Sequence, residues 1–557
     1  MRPEPVWLIP EPAPAPQVSG IPSLVARILR QRGVADVEAF LNPRLQDLGD
    51  PFALGGVRAA AERLLLAADR GEAVTLFGDY DVDGVSSLAL LRLVLCAYGI
   101  EPRVFLPHRM DEGYGLSTEG VARCLEETKP ALVVAVDCGT TSVAEATGLR
   151  ARGVDLVILD HHEAAPGPRP ACVALVNPKA DGSAPHLCSA GVVFKVAHGM
   201  LKMRPLPKER LDLRAHLDLV ALATVADIVP LVGENRTLVR HGLVELSRTG
   251  KPGLRALKRV AGLDGHLTAQ DIGFRLGPRL NAAGRLDTAR HAFELLAADD
   301  PATASDLADL LDAQNRERQQ VEQAIVREAM ALAAACAQEA AIVLAGDDWH
   351  PGVVGIVASR VARHFHRPAF IIGFDRAGLG KGSGRSIPGI SLVGALQACR
   401  EHVVKGGGHD MAAGITIERS RVEAFHRTLV AHIAATVDPG VFQPVLEVDA
   451  RVGLAELDDA LLDAWVRIMP FGQGFPEPLL AACRVEPAVS PRLLKEKHFK
   501  FTLRQGRALC DAIWFNAADR APLPPPPWDV VFSLEANEWN GRRAPQMRVQ
   551  ALRAAAP

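Results

Sequence analysis

The chain has 557 residues, of which 48% are hydrophobic and 23% charged, with 62 basic side chains against 65 acidic ones. That length fits about three or four domains, and the composition is that of an ordinary water-soluble globular chain, which excludes a fibrous or disordered one. The near-neutral balance excludes a globally basic coat, so any phosphate-binding surface has to be local.

Nine scattered cysteines with no C-x-x-C pair argue against a zinc ribbon or a disulfide framework, and for reduced thiols in a cytoplasmic setting. No apolar run reaches membrane-spanning length. The segment 1–16 is rich in Pro and Glu and lacks the apolar stretch of a signal peptide.

Residues 1–50 read as a small helical lead-in, with amphipathic turns at 21–26 and 36–41 separated by Gly33 and closed by Asn42-Pro43. From about 51 to 235 strands alternate with helices, the signature of an α/β layer. The stretch Gly78-Asp79-Tyr80-Asp81-Val82-Asp83-Gly84 lies between a short apolar run (73–77) and a segment with helical spacing at Leu88, Leu91 and Leu95. Three aspartates therefore sit on a strand-to-helix turn. One would satisfy the exposed N–H groups of a helix start; three repel one another unless a cation neutralises them.

The pattern recurs. A buried-strand run at 131–136 ends in Asp137-Cys138-Gly139, and another at 154–159 ends in Asp160-His161-His162. In an open parallel sheet, ligands bind beyond the carboxyl ends of the strands, so these residues converge on a metal site. A helix predicted over 217–226 ends in Asp227, which by itself reads as a helix-end residue and is the fourth acidic candidate.

Residues 270–288, rich in Gly and Arg, are predicted to form either a phosphate-facing loop or a surface turn. From 302 to about 338, helical spacing without Gly or Pro predicts a long helix, roughly 50 Å if unbroken, suited to connecting two lobes. A second α/β domain follows, with strands at 341–344 and 368–372 and a helix at 353–365. Two glycine-rich loops come next, Gly380-Lys381-Gly382-Ser383-Gly384-Arg385-Ser386 and Lys405-Gly406-Gly407-Gly408-His409. Bare backbone with Lys, Ser and Arg donors points to phosphate, although neither loop fits the P-loop pattern.

From about 440, short strands at 445–448, 498–503, 511–515 and 530–534 predict a small closed barrel of OB type. Lys495, Lys497, Lys500, Arg504 and Arg507 interleave with Phe499 and Phe501. That pattern fits either a single-strand groove with stacking aromatics or an ordinary half-buried strand.

Together, Asp79–Gly84, Val136–Gly139, Asp160–His162 and Ala223–Asp227 resemble the four motifs of the DHH phosphoesterases. The long helix, Gly382–Ser386 and Gly406–His409 followed by Met411–Gly414 resemble the associated DHHA1 domain. With the trailing barrel, the resemblance covers nearly the whole chain and is nearest to the bacterial single-strand-specific exonucleases of that family. It implies an α/β fold: a helical lead-in (1–50), a DHH parallel-sheet domain (51–300), a connecting helix (301–340), a smaller DHHA1 domain (341–435) and an OB-fold (440–557).

The resemblance further implies 5′-to-3′ degradation of single-stranded DNA to 5′-mononucleotides, in recombination and repair, with two divalent ions, Mn²⁺ or Mg²⁺. Asp79, Asp81, Asp83, Asp137, His161 and Asp227 are the implied metal ligands, with Asp137 bridging. Asp160 orients an imidazole, and His162 contacts the scissile phosphate or protonates the leaving group. Arg109 and Tyr114 are the implied nucleic-acid contacts, and Arg285, Ser383, Arg385 and His409 the residues around a terminal 5′-phosphate. The implied protein partners are a single-strand-binding protein and a RecQ-type helicase, with the chain acting as a monomer. Two rival expectations are a DHH enzyme of small phosphates, which the barrel argues against, and a non-catalytic DNA-binding scaffold, which the full set of carboxylates argues against.

Overall fold

Val74–Gly78 and Leu132–Val136 are buried from end to end and form the middle of a five-stranded parallel sheet. Its strands are β1 (Val74–Gly78), β2 (Arg103–Phe105), β3 (Leu132–Val136), β4 (Asp155–Leu159) and β5 (Ala174–Val176), in the spatial order β2-β1-β3-β4-β5. Strands covered on both faces need apolar side chains at successive positions, which is why the central ones read as unbroken runs rather than alternating patterns. The computed structural model describes residues 3–11, 20–107, 115–164, 167–182, 186–286, 288–539 and 542–555. They fall into two units: Pro43–Gln319 with Pro470–Pro476, which holds this sheet, and Met1–Asn42 with Gln320–Met469 and Glu477–Pro557.

In the first unit, α1 (Val82–Ala97) follows β1 and is buried nearly all round, because α2 (Ser189–Met203) and α3 (Leu217–Ala226) pack against it. The α3 range is the one expected from the apolar run at 217–226. Residues 270–286 of the glycine–arginine stretch are helical, not a loop or a surface turn. They form a π-helical turn, Ile272–Leu276, and then α4 (Gly277–Leu286). Ile272, Leu276, Leu280 and Ala283 are buried at helical spacing, and that apolar stripe overrides the glycines. The long helix is present as α5 (Pro301–Ala333), 33 residues without interruption.

In the second unit, β6 (Ile342–Asp347), β7 (Ala369–Phe374), β8 (Leu379–Arg385), β9 (Lys405–Gly408) and β10 (Ala412–Glu418) form a mixed sheet ordered β9-β10-β8-β7-β6. Helix α6 (Val354–Phe365) connects the parallel pair β6 and β7. The two expected glycine-rich phosphate loops are therefore strands. A Cβ added at Gly380, Gly382 or Gly384 would lie 2.7, 2.7 and 2.5 Å from side-chain atoms of Ile372 or Phe374, Ile415 and Phe370 respectively. These glycines make room for large apolar neighbours on one face of the sheet, not for an anion.

The C-terminal region closes on itself. Strands β11 (Ala450–Arg451), β12 (Leu480–Pro487), β13 (Arg492–Leu494), β14 (His498–Gln505), β15 (Ala508–Trp514), β16 (Trp528–Trp539) and β17 (Arg542–Ala554) form one sheet ordered β11-β12-β16-β17-β15-β14-β13. A further pairing of β12 with β14 completes a five-stranded ring, the OB-type closure that removes sheet edges.

Two boundaries differ from expectation. The segment at 445–448 is not a barrel strand: Val445–Glu447 pairs in parallel with Val6–Leu8. The lead-in is accordingly not purely helical, although Ser23–Gln31 and Val37–Leu41 are helices as expected. The aromatic pair is core: Phe499 and Phe501 are 8% and 1% exposed, and Phe501 meets Trp528 edge-on at 5.8 Å. Period-2 alternation turns both phenyls inward and Lys500 outward, so they offer no stacking surface.

Gly384→Val would drive a branched side chain into the Phe370 ring. Overpacking of this kind destabilises by about 1–3 kcal/mol, to be read as a lowered urea midpoint of the full chain; an unchanged midpoint would show that the glycines serve another purpose.

Candidate metal centre

The site begins with the β1–α1 turn. Asp81 is the N-cap of α1, its carboxylate accepting from the Gly84 N–H at 3.1 Å. A Cβ on Gly84 would lie 2.5 Å from the Asp79 carbonyl oxygen, so only glycine lets the first helical turn lie on the strand end. This tight turn places Asp79 and Asp83 on either side of the cap. Asp83 is buried and accepts from the N–H groups of Ser189 (2.7 Å) and Ala190 (2.9 Å) at the start of α2, where helix-end N–H groups favour negative charge.

Asp137 follows β3 with a left-handed φ of 63°, and its Oδ1 accepts from Ser189 Oγ at 2.8 Å. Beyond β4, Asp160 Oδ1 accepts from the His161 and His162 N–H groups and lies 2.8 Å from His162 Nδ1, while Oδ2 accepts from the Thr140 N–H. Asp227 is the C-cap of α3.

These ends converge as the sheet rule requires. His161 is 5% exposed, and neither of its ring nitrogens has a hydrogen-bond partner among the described residues. Its Nε2 stands 3.5 Å from Asp137 Oδ1, 3.5 Å from Asp227 Oδ2 and 3.7 Å from Asp83 Oδ2. Those separations are too long for hydrogen bonds and suit donors that share a cation. Three overlapping groups have ligand atoms within 4.8 Å of one another: Asp79, Asp81 and Asp137; Asp83, His161 and Asp227; Asp137, His161 and His162. Asp137 and His161 each belong to two of them. Carboxylate oxygens with one or two imidazoles match Mn²⁺ or Mg²⁺ chemistry, so the residues present fit such ions.

The electrostatics point the same way. Burial, joined by the neighbouring carboxylates, raises Asp81 and Asp137, and pushes Asp227 up to about 8. Burial likewise raises Asp83, against the opposing pull of the α2 N–H groups. Burial lowers His161 to about 4, so it presents a neutral nitrogen. Asp160 behaves oppositely: burial works against its charge, but the hydrogen bonds from His162 and Thr140 hold it well below the usual carboxylate range. His162 is raised despite burial, because Asp160 bonds and faces it. Asp160 and His162 are thus a hydrogen-bonded pair at the cluster, with Asp160 holding the ring. The buried thiols Cys138 and Cys188 are pushed far up and stay neutral.

The structure brings together all of the expected ligands, Asp79, Asp81, Asp83, Asp137, His161 and Asp227, with Asp160 and His162. In the other unit, Arg385 Nη1 donates to Ser383 Oγ at 2.9 Å, and a Cβ on Gly355 in the first turn of α6 would lie 3.1 Å from Arg385 Nη2. His409 is exposed in the β9–β10 turn, its N–H donating to the Ala412 carbonyl, and Ala412 is paired with Arg385. Arg285 lies in α4, but its side chain, like residues Arg109 and Tyr114, lies outside what the structure describes.

Four contributors were not read from the sequence. Ser189 and Ala190 answer Asp83 and Asp137, and Thr140 answers Asp160. Buried Asn177 donates to Thr140 Oγ1 and to the His162 carbonyl, both at 2.8 Å. Only Ser189, a small polar residue ahead of an apolar helical run, hints at a helix start.

The chain matches family models described as the DHH family, N-terminal domain (residues 73–224), the DHHA1 domain (337–435) and the RecJ OB domain (448–551). It is 36% identical to the single-stranded-DNA-specific exonuclease RecJ of Dickeya dadantii (strain 3937), over 96% of each chain. To RecJ of Escherichia coli (strain K12) it is 35% identical, again over 96% of each. The crystal structure of RecJ in complex with Mn²⁺ from Thermus thermophilus superposes with a TM-score of 0.83 at 31% identity, covering 99% of this chain and 80% of that one.

A carboxyl whose folded pKa lies above its unfolded value lends stability below the unfolded pKa and loses it as pH rises through the folded one. The metal-free chain should therefore lose thermal stability between about pH 4 and pH 8, the latter set by Asp227. Mn²⁺, which binds the ionised form, should reverse the slope, and Asp227→Asn should flatten it. Calorimetry in EDTA and in Mn²⁺ checks this; identical slopes would refute it.

Proposed function

Because the chain belongs to the RecJ family of single-stranded-DNA-specific exonucleases, we propose that it hydrolyses single-stranded DNA from the 5′ end, releasing 5′-mononucleotides, in recombination and repair. The observation that carries this reading is the convergence of Asp83, Asp137 and Asp227 on His161, whose buried nitrogens have no hydrogen-bond partner among the described residues, with Asp79 and Asp81 grouped around the same Asp137. When bound, two divalent ions, Mn²⁺ or Mg²⁺, screen the phosphodiester charge and lower the pKa of a water near it.

The chain's own residues do the rest. Asp79, Asp81, Asp83, Asp137, His161 and Asp227 would hold the ions, and family resemblance makes Asp137, which belongs to two of the overlapping groups, the ligand they would share. Asp160 fixes the His162 ring through Nδ1 and favours its protonated form. His162 can therefore contact the scissile phosphate or give a proton to the departing 3′-oxygen. Ser189 Oγ and the α2 N–H groups keep Asp137 and Asp83 turned toward the cluster.

Ser383 and Arg385 beside the first turn of α6, with His409 across the strand pair, supply charge-assisted donors suited to a terminal 5′-phosphate. Arg285 is assigned there also, and Arg109 and Tyr114 to the nucleotides that follow. The domain division proposed is a lead-in to residue 50, the DHH domain to 300, the connecting helix to 340, the DHHA1 domain to 435 and the OB-fold from 440. Family resemblance further supports a cytoplasmic monomer working with a single-strand-binding protein and a RecQ-type helicase. No helix among the described residues is long and apolar enough to cross a membrane.

With Mn²⁺ and end-labelled single strands, a 5′ label should be released at once as mononucleotide while a 3′-labelled strand shortens stepwise. Asp137→Ala should lower the rate by more than about 10³-fold. If neither strand is cut while a dinucleotide is hydrolysed, the single-strand reading fails. Arg385→Ala should cut affinity for 5′-phosphorylated ends by about 10–100-fold with Mn²⁺ binding retained. Equal loss on 5′-hydroxyl ends would remove Arg385 from that role.

A further inference from the structure

Two large apolar side chains stand exposed along the border of the metal centre, and the reading above assigns them nothing. Ile228 follows the ligand Asp227 directly. It is 69% exposed and has a φ of 58°, a left-handed conformation that is an outlier for a β-branched residue. No burial rewards it, and backbone strain of this kind concentrates at functional sites.

Phe274 is 80% exposed on the π-helical turn Ile272–Leu276. Turns of this type recur at functional sites. Two close approaches locate the segment. A Cβ on Gly277 would lie 3.6 Å from the Ala226 Cβ, at the end of α3 beside Asp227. A Cβ on Gly284 would lie 2.8 Å from the Tyr80 carbonyl oxygen, between Asp79 and Asp81. The run from 274 to 284 is therefore laid along the cluster, from its Asp227 end to its Asp79–Asp81 end.

The turn is also held firmly. Arg275 Nη2 donates to the Ala261 and Gly262 carbonyls. Arg279 donates to the Arg275 carbonyl at 2.6 Å and pairs with Asp312 at 2.9 Å, so these arginines anchor the turn rather than reach for substrate. A phenyl ring kept in water on a pinned, irregular turn is poorly explained by folding alone.

We infer that Phe274, with Ile228, forms an apolar ledge on which one nucleobase of the DNA strand stacks, setting the neighbouring phosphodiester at the carboxylate cluster. The inference rests on the single-strand reading above. Stacking is indifferent to sequence, because every base has a π-face. It also demands an unstacked base, which a duplex does not offer, so the ledge contributes to single-strand preference.

The test uses the full chain with Mn²⁺ and single-stranded DNA. Phe274→Ala should raise KM about tenfold with kcat within about twofold and an unchanged melting temperature; Phe274→Trp should restore KM, and Phe274→Leu should not. One abasic residue in the strand should slow the wild-type chain at one defined distance from the end, and Phe274→Ala should abolish that pause. Equal KM for wild type and Phe274→Ala, or an abasic pause that survives the substitution, would overturn the ledge. If the wild-type chain cuts no single strand, the functional reading fails separately. Fluorescence anisotropy of a labelled single strand in Ca²⁺ still tests the ledge: a Kd unchanged by Phe274→Ala would overturn it.

Discussion

The repulsion among carboxylates gathered at the ends of β1, β3, β4 and α3 governs this protein. Asp79, Asp83, Asp137 and Asp160 are buried, and burial alone disfavours every one of those charges. The fold answers them in two ways. Asp83 and Asp160 receive main-chain N–H groups, from α2 and from the backbone around Thr140, His161 and His162. Asp137 and Asp227 keep raised pKa values beside a neutral imidazole, His161, whose nitrogens have no hydrogen-bond partner among the described residues. Asp83 belongs to both groups, held by N–H donors and still raised by burial, so a hydrogen-bonded carboxylate is not thereby excluded as a ligand.

Close backbone approach is the second constraint. At Gly84 the helix start must lie on the Asp79 carbonyl, or the three aspartates of the turn would not face one point. At Gly380, Gly382 and Gly384 the same absence of a Cβ has a different purpose, since apolar side chains of the neighbouring strands fill the space. Glycine-rich sequence next to Ser and Arg thus describes a packed strand as well as it describes an anion cradle. Here the strand's Ser383 and Arg385 side chains are hydrogen-bonded to each other beside α6.

The barrel shows what alternation does. In His498–Gln505 the basic and aromatic residues occupy opposite faces, so the basic side chains stay toward solvent while Phe499 packs on Phe501 and Phe501 on Trp528. Of the two readings the pattern allowed, the half-buried strand holds for the aromatics, while Lys500 and Arg504 face Asp511 and Glu486 on the other side. The exposed aromatic of consequence lies instead at Phe274, on a π-turn within a segment whose glycines suggested a loop.

Local pattern was enough to read the parallel-sheet layer, the long helix, the barrel and the residues that converge on the carboxylate cluster. Unbroken apolar runs mark strands buried on both faces, and acidic or imidazole residues at their carboxyl ends mark a site. Which N–H groups answer Asp83 and Asp160 was settled by tertiary packing. The same packing made Ser189, Thr140 and Asn177 their supports, and made strands and a helix of the glycine-rich segments. Those outcomes depend on what lies opposite each residue across distances of tens to more than a hundred positions in the chain, as between Asp83 and Ser189, and no local pattern records such a neighbour.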